Sequence, residues 1–134
     1  MKHWLRGFSV GVLLMLVTAA AAAATAGAHH SWTAEYDGGK AVTVTGTIVK
    51  VEWTNPHTHF YVEAKDEGGK VTVWNFEMAS TLALERAGWT RKTLQVGDQV
   101  TIGGFAGRKV VEHAVASTML TADGRELFVG KPGQ

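Results

Sequence analysis

Hydrophobic positions follow three regimes along this chain. Between Phe8 and Val17 they are nearly continuous, and they then dissolve into the alanine tract Ala19–Ala24. From Ala41 onward they recur with period two in short stretches bounded by Gly, Asp and Pro, the pattern of strands and hairpins. Ser80–Ala87 alone breaks that rhythm, with Leu82, Leu84 and the stem of Arg86 in a run of helix formers.

The period-two stretches predict a specific order of elements. Ala41–Trp53 is a long first strand with Val42, Val44 and Ile48 on one side and Val49, Val51 and Trp53 on the other, so its buried face changes along its length. Gly46 lies between the two sets, where a strand glycine marks a bulge or a bend. Asn55-Pro56 makes a corner, because proline has no N–H for a sheet and asparagine favours turns. Thr58–Ala64 is the second strand, with Phe60 and Val62 opposite His57, His59, Tyr61 and Glu63. After the hairpin loop Lys65–Gly69, Lys70–Met78 is the third strand. Trp74, Phe76 and Met78 face one way and Val71, Val73, Asn75 and Glu77 the other, so bulk alone does not select the core side.

The helix is N-capped at Ser80 or Thr81 and stopped by Gly88. Val96–Ile102 turns into a fourth strand that closes in Gly103–Gly107, Val110–Leu120 is the fifth, and Asp123–Val129 holds a tight turn and a last short strand. Three meandering strands, one helix and two further strands are the order of an OB-fold. The expected class is therefore all-β with one short helix, an OB-fold-like five-stranded small barrel.

Composition adds a compartment. Lys2, His3 and Arg6 precede the apolar run, and Ala26-Gly27-Ala28 follows the alanine tract as a small-x-small cleavage pattern, so residues 1–28 read as a secretory signal peptide. Residues 29–40 are then an N-terminal lead-in, with turn chemistry at Asp37-Gly38-Gly39 and Trp32 and Tyr36 as possible anchors, and 41–134 the barrel domain. Losing Lys2 and Arg6 takes the net charge from +1 to near −1. That balance offers neither a basic footprint for nucleic acid nor a polybasic membrane patch. The chain has no cysteine, so no lipid anchor or disulfide is expected after export to a periplasm or beyond, and stability rests on the core.

Several motifs together resemble one family: Ala28-His29-His30-Ser31, Gly46-Thr47, Val51-Glu52-Trp53-Thr54-Asn55-Pro56-His57, Trp74-Asn75-Phe76-Glu77-Met78, Arg86-Ala87-Gly88-Trp89-Thr90, Val96-Gly97-Asp98 and Asp123-Gly124-Arg125. The chain is similar to the small exported bacterial proteins of domain of unknown function family 6152, across essentially the whole mature region. The resemblance implies an exported single domain and carries no activity with it. The family pattern has an aromatic or apolar residue at the site of His59, which makes His59 the weaker member of any shared site.

The histidines carry the sharpest chemistry. Cleavage after Ala28 would expose His29 with a free α-amine, and that amine and the ring Nδ1 can close a chelate on one ion. His57 and His59 at i and i+2 share one side of a strand, and His30 and His113 are further donors. Imidazole suits copper, zinc and nickel, and the divalent affinity order puts copper first, so copper is the expected cofactor. If the hairpin pairs odd with even positions, His57 and His59 share a face with Trp74, Phe76 and Met78, and a soft copper(I) site is conceivable. If it pairs odd with odd, they share a face with Val73, Asn75 and Glu77, and the site is harder and more polar. The alternative is a metal-independent glycan, peptide or protein ligand on Tyr61, Trp53, Asn55 and Glu77, with Trp74 and Trp89 as further stacking surface. Core packing is the commoner fate of such tryptophans. Glu52, Glu63 and Glu77 lie on neighbouring strands, and His57 with Glu77 would make an acid–base pair. With no cysteine and no serine in a nucleophile elbow, a binding domain is expected rather than an enzyme.

Overall fold

The structure is a computed structural model that describes residues 32–130. Residues 1–28, expected to be a signal peptide, and the histidines His29 and His30 lie outside the described residues. The helical residues 32–35 (α1) lead into six strands: β1 Tyr36–Glu52, β2 His59–Lys65, β3 Val71–Glu77, β4 Gln99–Gly107, β5 His113–Thr121 and β6 Glu126–Leu127. The helix α2, Thr81–Arg86, falls between β3 and β4.

β1 pairs antiparallel with both β2 and β4, β2 with β3, and β4 with β5, while a short parallel pairing of β3 with β5 joins the two ends. Five strands are thus hydrogen-bonded in a ring, in the OB-like order expected from the sequence. The interior holds Val44, Ile48, Phe60, Val62, Phe76, Met78, Val100, Ile102 and Met119, all buried, with Leu84 of α2 closing one end. Ser80 is the N-cap, its hydroxyl accepting from the Ala83 N–H at 3.3 Å.

The hairpin register decides the question the sequence left open. Tyr61 faces Asn75, Glu63 faces Val73 and His59 faces Glu77, so odd pairs with odd. Phe60, Val62, Phe76 and Met78 point inward, and Val71 and Val73 are exposed on the outer face. The soft alternative, with imidazoles beside Met78, is excluded because Met78 is inside the barrel while His59 is across from Glu77 outside it.

Strand one departs from expectation at two places. Its ladder begins at Tyr36, where Tyr36 pairs with Gly107 before Ala41 pairs with Phe105. The intervening Asp37–Lys40 forms an irregular bulge, with the Gly39 N–H donating to Asp37 Oδ1 at 3.0 Å, so the turn residues bend a strand instead of preceding one. The face change occurs at Val49, where the β2 register slips between Ile48 and Lys50, and not at Gly46. Gly46 serves a close approach instead: a Cβ there would lie 2.2 Å from the carbonyl oxygen of Glu63. Ile48 is therefore buried before the slip and Val51 and Trp53 pack on the core after it, while Val49 faces out.

The fourth and fifth strands also differ in extent. Gly103–Gly107 continues β4, and β5 starts at His113, because residues 108–112 form the turn between the two strands.

Candidate functional site

One carboxylate gathers the polar chemistry of the outer face. Glu77 ends β3, and its side chain is 14% exposed. Its Oε1 meets His57 Nδ1 in a short ion-pair contact, its Oε2 accepts a short hydrogen bond from the Tyr36 hydroxyl, and His113 Nε2 stands 3.9 Å from Oε2. Glu35 completes a group with Glu77 and His113 in which one ligand atom from each residue lies within 4.8 Å of the others.

Local chain geometry explains each placement. The corner after β1, with Asn55-Pro56 as a cis peptide, returns the chain so that the Thr58 N–H donates to Ala79 O at 3.1 Å and the Met78 N–H to Thr58 O at 2.9 Å. This extends the β2–β3 ladder by one step and sets His57 beside Glu77. The parallel pairing places His113 opposite Asn75 and Val115 opposite Glu77, which brings the first residue of β5 onto the same patch. Gly107 permits that approach, since a Cβ there would lie 2.2 Å from Val110 O and 2.4 Å from His113 O. Tyr36, at the start of the Asp37–Lys40 bulge, is 2% exposed and meets the His113 ring edge-on at 5.9 Å. Trp32 packs on Tyr36 and Phe105, and Arg108 ties α1 down by donating from its N–H to Glu35 O at 2.9 Å and from Nε to Thr33 O at 2.8 Å.

Electrostatics follow from burial. Desolvation, then the hydrogen bond to Glu77, then the negative charges of Glu77 and Glu35 push the Tyr36 phenol far above the ordinary tyrosine range. Tyr36 is therefore a neutral donor to Glu77 at any physiological pH. The Nε2 of His113 is shut off from solvent and has no hydrogen-bond partner among the described residues. Its 3.9 Å separation from Glu77 Oε2 is too long for a hydrogen bond. Two donors each about 2.1 Å from one ion lie at most about 4.2 Å apart. The His113 Nε2–Glu77 Oε2 gap already fits that limit, and a group whose donors all lie within 4.8 Å of one another exceeds it by less than about 1 Å.

The predicted donors separate into those the fold brings together and those it does not. His57 and His113 both reach Glu77. His59 is adjacent, its ring 6.1 Å from that of His113, but its Nδ1 is engaged with Asn75 Oδ1 at 2.9 Å. His29 and His30 lie outside the described residues. Among the other predicted ligand contacts, Tyr61 donates to Glu52 Oε2 at 3.1 Å and has the Lys50 ammonium 4.7 Å over its ring. Asn55 Oδ1 accepts from the Thr81 hydroxyl at 3.0 Å, tying the corner to α2. Trp53 is half-buried against the buried Trp89, and Trp74 is stacked on Phe76, so these indoles serve the core. Glu35 and Tyr36 were not legible as site residues. The lead-in has no periodicity, and only the bulge and the contacts of Arg108 place them.

A search of curated proteins finds no match to this chain. Residues 16–116 match the profile of one family, a span that ends before Asp123-Gly124-Arg125 and so is shorter than the resemblance read from the motifs. That span covers most of the sequence, and the chain belongs to DUF6152, a family of unknown function.

Proposed function

We propose that this chain is an exported binding module for a divalent transition metal, with copper(II) as the ion its donors favour. The observation that carries this reading is the gathering of one donor atom each from His113, Glu77 and Glu35 within 4.8 Å of one another, with His113 Nε2 desolvated and unpartnered among the described residues. A desolvated nitrogen lone pair without a hydrogen bond is costly, and a bound cation would satisfy it. Two carboxylates and a neutral imidazole balance the charge of a dication, and a mixed N,O set suits copper(II), nickel or zinc, among which copper binds most tightly. His57 and Tyr36 hold the Glu77 carboxylate in place, the outer-sphere role that orients a metal ligand.

The chain end expected from cleavage after Ala28 adds to this donor set. His29 lies six positions before Glu35, so no conformation separates the two Cα atoms by more than about 22 Å. Its amine and ring would supply a chelate on the same ion. The metal-independent alternative is weaker, because Trp53, Trp74 and Trp89 pack on the core and Tyr61 is paired with Glu52 and Lys50.

The test is calorimetric titration of the processed protein with Cu(II), Ni(II) and Zn(II). The reading expects one site with copper tightest, and a loss of about tenfold or more for His113→Gln or Glu77→Gln. Unchanged affinity in both variants would overturn it. An added residue ahead of His29 tests the terminal chelate separately, since only that contribution depends on the free amine.

A further inference from the structure

Next to the Glu77 cluster is a cleft of about 410 Å³ lined by Ala34, Glu35, Gly107, Lys109, Val110 and His113. Its size is within the range of small-molecule sites. Two of its walls, Glu35 and His113, belong to the group that can hold an ion. A metal held by His113, Glu77 and Glu35 therefore has the cleft on its flank, and three protein donors leave at least one coordination position to be filled from there. The rest of the lining is informative. Lys109 makes no ion pair among the described residues, so its charge is available to the cleft. Ala34 and Val110, the latter 56% exposed, supply apolar surface beside it.

Resting on the metal reading above, we infer that the cleft admits a small carboxylate anion with a short apolar tail. One carboxylate oxygen would enter the metal's open position, the other would pair with the Lys109 ammonium, and the tail would lie against Ala34 and Val110. The charge logic is local. Glu35 and Glu77 use their negative charge on the ion, so an additional anion needs Lys109, the one cationic side chain among the described residues that line the cleft. Without the metal the same cleft presents Glu35 to an incoming carboxylate, so binding of the anion depends on the metal being loaded.

The experiment uses the full processed chain loaded with one equivalent of Cu(II), followed by visible absorption and EPR. It is titrated separately with isobutyrate and with azide, alongside a copper-loaded Lys109→Met variant and a metal-free control read by calorimetry. The inference expects saturable spectral changes with isobutyrate, about tenfold weaker in Lys109→Met, and no isobutyrate binding to the metal-free protein. A response to azide but not to isobutyrate would overturn the assigned ligand class. No response to either would overturn the open position. Equal isobutyrate affinity in Lys109→Met would overturn the role of the lysine. Those three results leave copper binding intact, whereas a chain that takes up no copper fails at the metal reading itself.

Discussion

Replacing Tyr36 by Phe removes a single oxygen from the centre of the site while keeping the ring that packs on Trp32 and His113. The lost interaction is a hydrogen bond from a buried phenol to the Glu77 carboxylate. Hydrogen bonds to charged groups contribute roughly 1.5–3 kcal/mol net. Taking about 2 kcal/mol, and a urea dependence of roughly 1–2 kcal/mol/M, the unfolding midpoint should fall by about 1–2 M. The assay is equilibrium unfolding in urea at neutral pH with a chelator present, followed by tryptophan fluorescence, so that no metal contributes. The same substitution in a Glu77→Gln background should cost only about 1 kcal/mol, because a neutral acceptor is worth about half as much. The coupling between the two positions is thus about 1 kcal/mol. A midpoint within about 0.2 M of the parent, or an equal loss in both backgrounds, would refute the assignment of Tyr36 as the buried donor that fixes Glu77.

Three further expectations follow from the same geometry. The Tyr36 phenol is raised in the folded state, so the native protein holds that proton more tightly, and the stability it contributes is intact below the unfolded value near 10 and is lost as pH rises beyond it. In a Tyr61→Phe variant, phenolate absorbance should therefore appear only together with loss of the fold above about pH 10, and a phenolate titrating near 10 in a folded chain contradicts the burial. Gly107→Ala should lower stability by about 2–3 kcal/mol in thermal unfolding, because its Cβ would collide with the carbonyls of Val110 and His113; a change under about 0.5 kcal/mol would contradict the close approach. Met78→Leu should cost less than about 1.5 kcal/mol and leave Cu(II) affinity unchanged, since Met78 is inside the ring, and a marked loss of copper binding would contradict the register.

Much of the fold was legible because its signals are local. Val42, Val44 and Ile48 alternate, Ser80 caps a helix that Gly88 ends, and Asn55-Pro56 makes a corner, each within a few residues of chain. The sidedness of β3 was not legible, since Val71 and Val73 are as apolar as its inward residues and only the pairing with β2 selects between the two faces. His57 and Glu77 are both visible as chemistry in the sequence, which already suggests them as an acid–base pair. His113 reached the same patch through a parallel pairing of β3 with β5 that no local pattern encodes. Glu35 and Tyr36 depend on the Asp37–Lys40 bulge, whose residues read equally well as the end of a loose lead-in.

The proposed ion site is bounded by Glu77, His113 and Glu35. Crystals of the processed protein grown with one equivalent of Cu(II) would test it through anomalous difference density collected on either side of the copper edge. The expected result is a single dominant peak within coordination distance of His113 and a Glu77 carboxylate oxygen. Copper density elsewhere on the molecule, with the Glu77–His113 gap empty, would contradict it.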